Sequence, residues 1–111
     1  MDHYLIWFEL RSGVHDLDFV DAVDAWLGHL AAERLIEGHT LARRKLGFGP
    51  DGLGDWLIDI RTRDLAQLES AFQRAATRTG EAEALHSAVF TKVERPQFGL
   101  YRDFPDAVRR D

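Results

Sequence analysis

Two short segments of this chain show the same contrast between their faces, and that repetition constrains the fold more than any other feature. Tyr4–Leu10 alternates Tyr4, Ile6, Phe8 and Leu10 against Leu5, Trp7 and Glu9. Trp56–Arg61 alternates Trp56, Ile58 and Ile60 against Leu57, Asp59 and Arg61. A period of two sends successive side chains to opposite faces of a strand. Each segment is therefore read as a strand with one wholly apolar face and one mixed face. The apolar side calls for a cover of helices, and the mixed side must meet something other than bulk water.

The intervening sequence supplies the rest of the pattern. Asp16 or Asp18 caps a helix expected to run to about Ile36. Phe19, Val20, Val23, Trp26, Leu27, Leu30 and Arg34 share its buried arc, and Gly38 closes it. Thr40–Phe48 is expected as a second strand. Gly49, Pro50, Asp51, Gly52 and Gly54 then mark a hairpin with a loop longer than the two-residue type. Asp64 and Gln67 form a capping box for a helix that buries Leu65, Leu68, Phe72 and Ala75 or Ala76 and ends at Gly80. A short helical turn over 81–86 precedes a fourth strand, Ser87–Glu94, stopped by Pro96. The remaining residues form an aromatic tail (Phe98, Leu100, Tyr101, Phe104), expected to dock on the fold or on a partner.

The order β-α-β-β-α-β is the split βαβ, ferredoxin-like plan, an α+β domain over residues 1–111 with two helices on one face of an antiparallel sheet. On this reading the uncovered face carries Leu5, Trp7, Leu57 and Phe90 beside Glu9, Asp59, Arg61, Lys92 and Glu94. An apolar patch of that kind is normally buried by a partner, and a twofold homodimer packed sheet to sheet is the expected solution.

Four segments carry a resemblance: Leu27-Gly28-His29-Leu30, Arg43-Arg44-Lys45-Leu46-Gly47, Leu65-Ala66-Gln67-Leu68 and Leu100-Tyr101-Arg102-Asp103-Phe104-Pro105-Asp106. With the overall arrangement, they resemble an uncharacterised proteobacterial family within the dimeric α+β barrel superfamily. That superfamily includes cofactor-independent monooxygenases of the antibiotic-biosynthesis type, muconolactone isomerase-like enzymes and stress-responsive barrel proteins. The resemblance implies a fold and a habit of binding ligands between sheet and helices. It transfers no catalytic role, because the superfamily has no single catalytic motif.

Composition removes several chemistries. The chain has no cysteine, which excludes disulfides, thiolate metal sites and Cys nucleophiles. It has no asparagine, the residue an acylphosphatase-type site uses. A net charge of −5 disfavours polyanions. An RNA-recognition surface would also need aromatics where Leu57 and Asp59 stand. The apolar run Tyr4–Phe8 is too short to span a membrane and lacks the flanks of a signal peptide. The expectation is a cytoplasmic protein with no nucleic-acid or membrane partner and no cofactor.

The candidate site residues follow from these faces. Glu9 and Asp59, confined beside Trp7 and Leu57, suit general acid–base work, and a network of ion pairs between subunits accounts for them equally. His86, expected just before the fourth strand, can reach a cavity mouth or cap the preceding turn. His29 has Glu33 at i+4, a pairing that serves to bind a metal, as base and orienter, or as a helix-surface contact. The remaining histidines show no metal-ligand spacing. Arg44 and Arg61 are candidate anion anchors, and Trp7 a stacking wall; Arg43-Arg44-Lys45 is not one basic patch, because alternate residues of a strand face opposite ways. Two functions fit: a dimeric barrel binding a small hydrophobic or anionic molecule, and a cofactor-independent enzyme of monooxygenase or isomerase type.

Overall fold

A computed structural model describes residues 1–77 and 80–106. The strands are β1 (Asp2–Leu10), β2 (Gly38–Arg43), β3 (Trp56–Thr62) and β4 (Val93–Arg102), and the helices are α1 (Asp16–Ala32), α2 (Leu65–Ala76) and α3 (Gly80–Phe90). The strands form one antiparallel sheet in the order β2-β3-β1-β4. This is the ferredoxin-like arrangement, with an additional helix before the last strand.

Alternation in β1 and β3 works as read. Ile6, Phe8, Ile58 and Ile60 are buried against Phe19, Val23, Trp26, Leu27 and Leu30 of α1. Burying each large apolar side chain contributes about 1.5–3 kcal/mol, so this layer carries most of the stability. Neither Asp16 nor Asp18 caps α1: His15 is its N-cap, without a side-chain cap bond, and the two aspartates lie in the first turn, where the helix dipole favours them.

Helix α1 stops earlier than expected. Arg34 takes a left-handed backbone at φ 62°, with Leu35 N–H donating to Leu30 C=O at 2.9 Å and Arg34 N–H to Ala31 C=O at 3.0 Å. That is a Schellman closure with Arg34, not Gly38, in the C′ position. Gly38 instead opens β2 opposite Arg61. β2 ends at Arg43 rather than Phe48, because Leu46 and Gly47 both adopt positive φ and turn the chain out of the sheet. Residues 44–55 then form a loop pinned at its base by Arg44 N–H to Asp55 C=O at 2.6 Å. Gly54 packs so closely on β1 that a Cβ there would collide with the Phe8 carbonyl.

The capping box of α2 forms. Asp64 accepts from Gln67 N–H at 2.8 Å, while the Gln67 side chain accepts from Arg63 N–H at 2.8 Å and donates to the Arg34 carbonyl at 3.1 Å. These contacts bury Gln67, whereas Leu65 and Phe72, expected inside, are 50% and 47% exposed.

The largest departure lies at the C-terminal end. Ser87–Phe90 belongs to α3, and the fourth strand begins only at Val93. Ala82, His86 and Val89 fall on one helical face, a spacing that outweighs the strand propensity of Val89 and Phe90. Most of the expected tail is strand: residues 97–102 pair along β1. Pro96 is tolerated because β4 is an edge strand and because Arg95 and Pro96 oppose Phe8 alone, a bulge between the Trp7–Gln97 and Glu9–Glu94 pairs. Phe90 and Lys92 therefore lie outside the sheet, and Phe90 packs on Trp26 beneath the helices rather than on the open face.

Candidate functional site

Between sheet and helices lies a cavity of about 210 Å³. Tyr4 and Phe98 form its sheet wall, Trp26 the α1 wall, Phe72 the α2 wall, and His86 and Phe90 the α3 wall. The aromatic rings hold one another in place. Phe72 meets Tyr4 edge-on at 5.1 Å, Phe98 stacks on Tyr4 at 6.0 Å, and Trp26 stands edge-on to His86 and to Phe90, each at 5.4 Å. The His86 ring lies over Phe90 at 4.6 Å. Burial raises the Tyr4 phenol above its ordinary range, so it stays neutral and acts as a hydrogen-bond donor or acceptor. Among the described residues no carboxylate, lysine or arginine lines this space.

Of the candidate residues only His86 faces this cavity. His29 lies with Nε2 2.8 Å from Glu33 Oε1, but outside hydrogen-bond alignment. Glu33 also pairs with Arg74 of α2 at 3.1 Å, which makes the group a bridge between helices.

The other candidates occupy the open sheet face, except Arg44, which lies in the 44–55 loop. Glu9 accepts from Asp55 N–H and anchors the loop end. Asp59 receives His3 Nδ1 at 3.1 Å. Arg61 donates to Thr40 Oγ1 at 2.8 Å. Arg44 donates to the carbonyls of Pro50 at 3.1 Å and Leu53 at 3.0 Å, organising the loop from within. Trp7 and Arg44 do come together, with Phe48 and Leu57, around a hollow of about 230 Å³. Arg61 and Asp59 stand apart from that hollow. Among the described residues no group of three or more His, Asp or Glu side chains is placed to hold a metal ion. No helix among them is long and apolar enough to cross a membrane.

Sequence reading missed Tyr4, Trp26, Phe72, Phe90 and Phe98 as a site. The signal that would have found half of it is the helical spacing of Ala82, His86 and Val89, which places His86 and Phe90 beside Trp26 instead of on a strand.

Sheet order, helix placement and cavity define the ferredoxin-like α+β class. The chain belongs to DUF6614, a family of unknown function, which it matches over residues 1–111. No curated protein sequence matches it. Similar solved structures include a dimeric ferredoxin-like protein of unknown function from Jannaschia sp. CCS1, 11% identical with a TM-score of 0.66 over 92% of this chain and 98% of that one. SnoaB, a cofactor-independent oxygenase from Streptomyces nogalater, is 16% identical with a TM-score of 0.62 over 95% and 97% of the two chains. A hydroxynitrile lyase from Passiflora edulis is 12% identical with a TM-score of 0.65 over 95% and 94%. At such identities the likeness establishes the fold alone.

Proposed function

We propose that the protein is a cytoplasmic homodimer of proteobacterial type, one barrel unit per chain over residues 1–111, that binds a small, neutral, hydrophobic molecule between its sheet and its helices. The aromatic cavity of about 210 Å³ carries this reading. An enclosed apolar space of about 150 Å³ suffices for benzene, so a one-ring or compact two-ring molecule is the matching size. The absence of charged lining among the described residues disfavours an anion there. In the hollow beside Trp7 the Arg44 guanidinium is committed to loop carbonyls, which also favours the hydrophobic alternative. Dimerisation through the open face is supported by Leu5, Trp7 and Leu57, which stand there half-buried, and by the dimeric relatives of the same fold.

The test is a titration with indole and naphthalene followed by tryptophan fluorescence, in the wild type and in Ala75→Phe, which fills the cavity from α2. Saturable binding that Ala75→Phe abolishes supports the proposal. Equal binding by both proteins, or none by the wild type, removes it.

A second reading, a cofactor-independent enzyme, is favoured by one observation. Among the described residues the His86 ring has no hydrogen-bond partner although it lines the cavity, so it is free to exchange a proton with a bound molecule. A relative of the same fold is a cofactor-independent oxygenase. On this reading His86→Asn loses turnover and keeps ligand binding.

A further inference from the structure

His3 lies on the open face of β1, and each of its ring nitrogens faces a carboxylate. Nδ1 is 3.1 Å from Asp59 of β3, and Nε2 is 2.6 Å from Asp103, the residue after β4. A neutral imidazole has one N–H and one lone pair, whereas ionised carboxylates only accept. With a neutral ring, one of the two contacts would set lone pair against lone pair. Both are satisfied only by the imidazolium. The three residues thus join β3, β1 and the end of β4, and β4 is an edge strand bonded to β1 alone.

Among the described residues the surrounding charges are accounted for. Arg61, across the ladder from His3, directs its guanidinium to Thr40 and the His39 carbonyl. Tyr101 is the β4 neighbour of His3. The Met1 amino group lies 3.5 Å from Asp103. Asp2 pairs with Arg102, which also lies 3.8 Å from Asp106.

We propose that His3 is a pH-sensitive latch that ties the end of edge strand β4 across β1 to β3, closed while its ring carries both protons and opened when it loses one. The hydrogen bond to Asp103, with that to Asp59, raises the His3 pKa above its ordinary 6.5 against the opposing effect of desolvation. Asp103 is lowered by the same contact. The folded value lies above the unfolded one, so the latch contributes fully below about pH 6.5 and is lost as pH rises through the folded value. The neutral ring keeps one carboxylate and gives up the other. Asp103, the more exposed of the two, is the one released. Phe98 of the same strand lines the cavity, so the latch sets how firmly that wall is held.

The experiment is NMR of the full chain from about pH 5 to about pH 9, following the His3 ring together with the exchange protection of the Asp103 amide, which donates to the Met1 carbonyl at 3.0 Å. His3 should titrate above its ordinary value, and protection should fall through that titration. In Asp103→Asn the His3 pKa should drop and protection should be low throughout, while His39→Gln should behave as wild type. Titration of His3 at its ordinary value, or protection unchanged through its titration, overturns the latch.

Discussion

The rings of His86 and Phe90 lie 4.6 Å apart with planes 22° from parallel, one turn apart on the same helix. This stack, closed on its edge by Trp26, holds the imidazole in a fixed orientation at the cavity wall. Replacing His86 with Phe should preserve the stack and the fold, changing stability by less than about 1.5 kcal/mol. It should abolish any hydrogen bond or proton transfer to a bound molecule. Thermal denaturation beside a phenol-binding titration separates the two effects: an intact fold with weakened phenol binding is expected.

Asp64 caps α2 through the Gln67 amide at 2.8 Å. Asp64→Ala leaves that donor without its partner and should cost about 1 kcal/mol, read as a lower urea midpoint with an unchanged slope. A midpoint equal to wild type would mean that Gln67, through Arg63 and Arg34, holds the helix start unaided.

Arg34 closes α1 with a left-handed backbone at φ 62°, a conformation that strains any residue with a Cβ. Its side chain is exposed. Arg34→Gly should therefore stabilise the protein by about 0.5–1 kcal/mol, the relief of strain exceeding the added freedom of the unfolded chain. Chemical denaturation at neutral pH measures it.

Asp2 is buried on β1, and its hydrogen bond from Arg102 holds the carboxyl below the usual range against the cost of burial. The folded pKa lies below the unfolded one, so this pair contributes fully above about pH 3.9 and is lost as pH falls through the folded value. Asp2→Asn should be less stable than wild type at pH 7, and the two denaturation curves should converge in acid. A difference that persists unchanged into acid would assign the loss to packing instead.

Gly54 lies against the Phe8 carbonyl, where a methyl group has no room. Gly54→Ala should displace the 44–55 loop from β1 at a cost of about 1–3 kcal/mol, seen as a lower melting temperature.

Much of the fold was legible in the chain because its signals are local. The alternation of β1 and β3, the apolar arc of α1 and the Asp64–Gln67 cap each depend on residues within a few positions of one another. Their faces and pairings follow from chain geometry. The mixed face of the strands was legible in the same way, and Leu5, Trp7, Leu57 and Asp59 stand on it as read.

The tertiary structure decided the rest. Val89 and Phe90 suit a strand locally, but packing on Trp26 makes them the last turn of α3, and β4 shifts down the chain to begin at Val93. Pro96 reads as a stop in sequence and becomes a bulge residue because its strand lies at the sheet edge. The cavity joins Tyr4, Trp26, Phe72, His86 and Phe98, residues from both strands and helices that no spacing rule connects. The His3 cluster likewise spans the chain from its third residue to Asp103. Local sequence sets which face a side chain takes; which distant faces meet is settled only when the sheet closes and the helices pack on it.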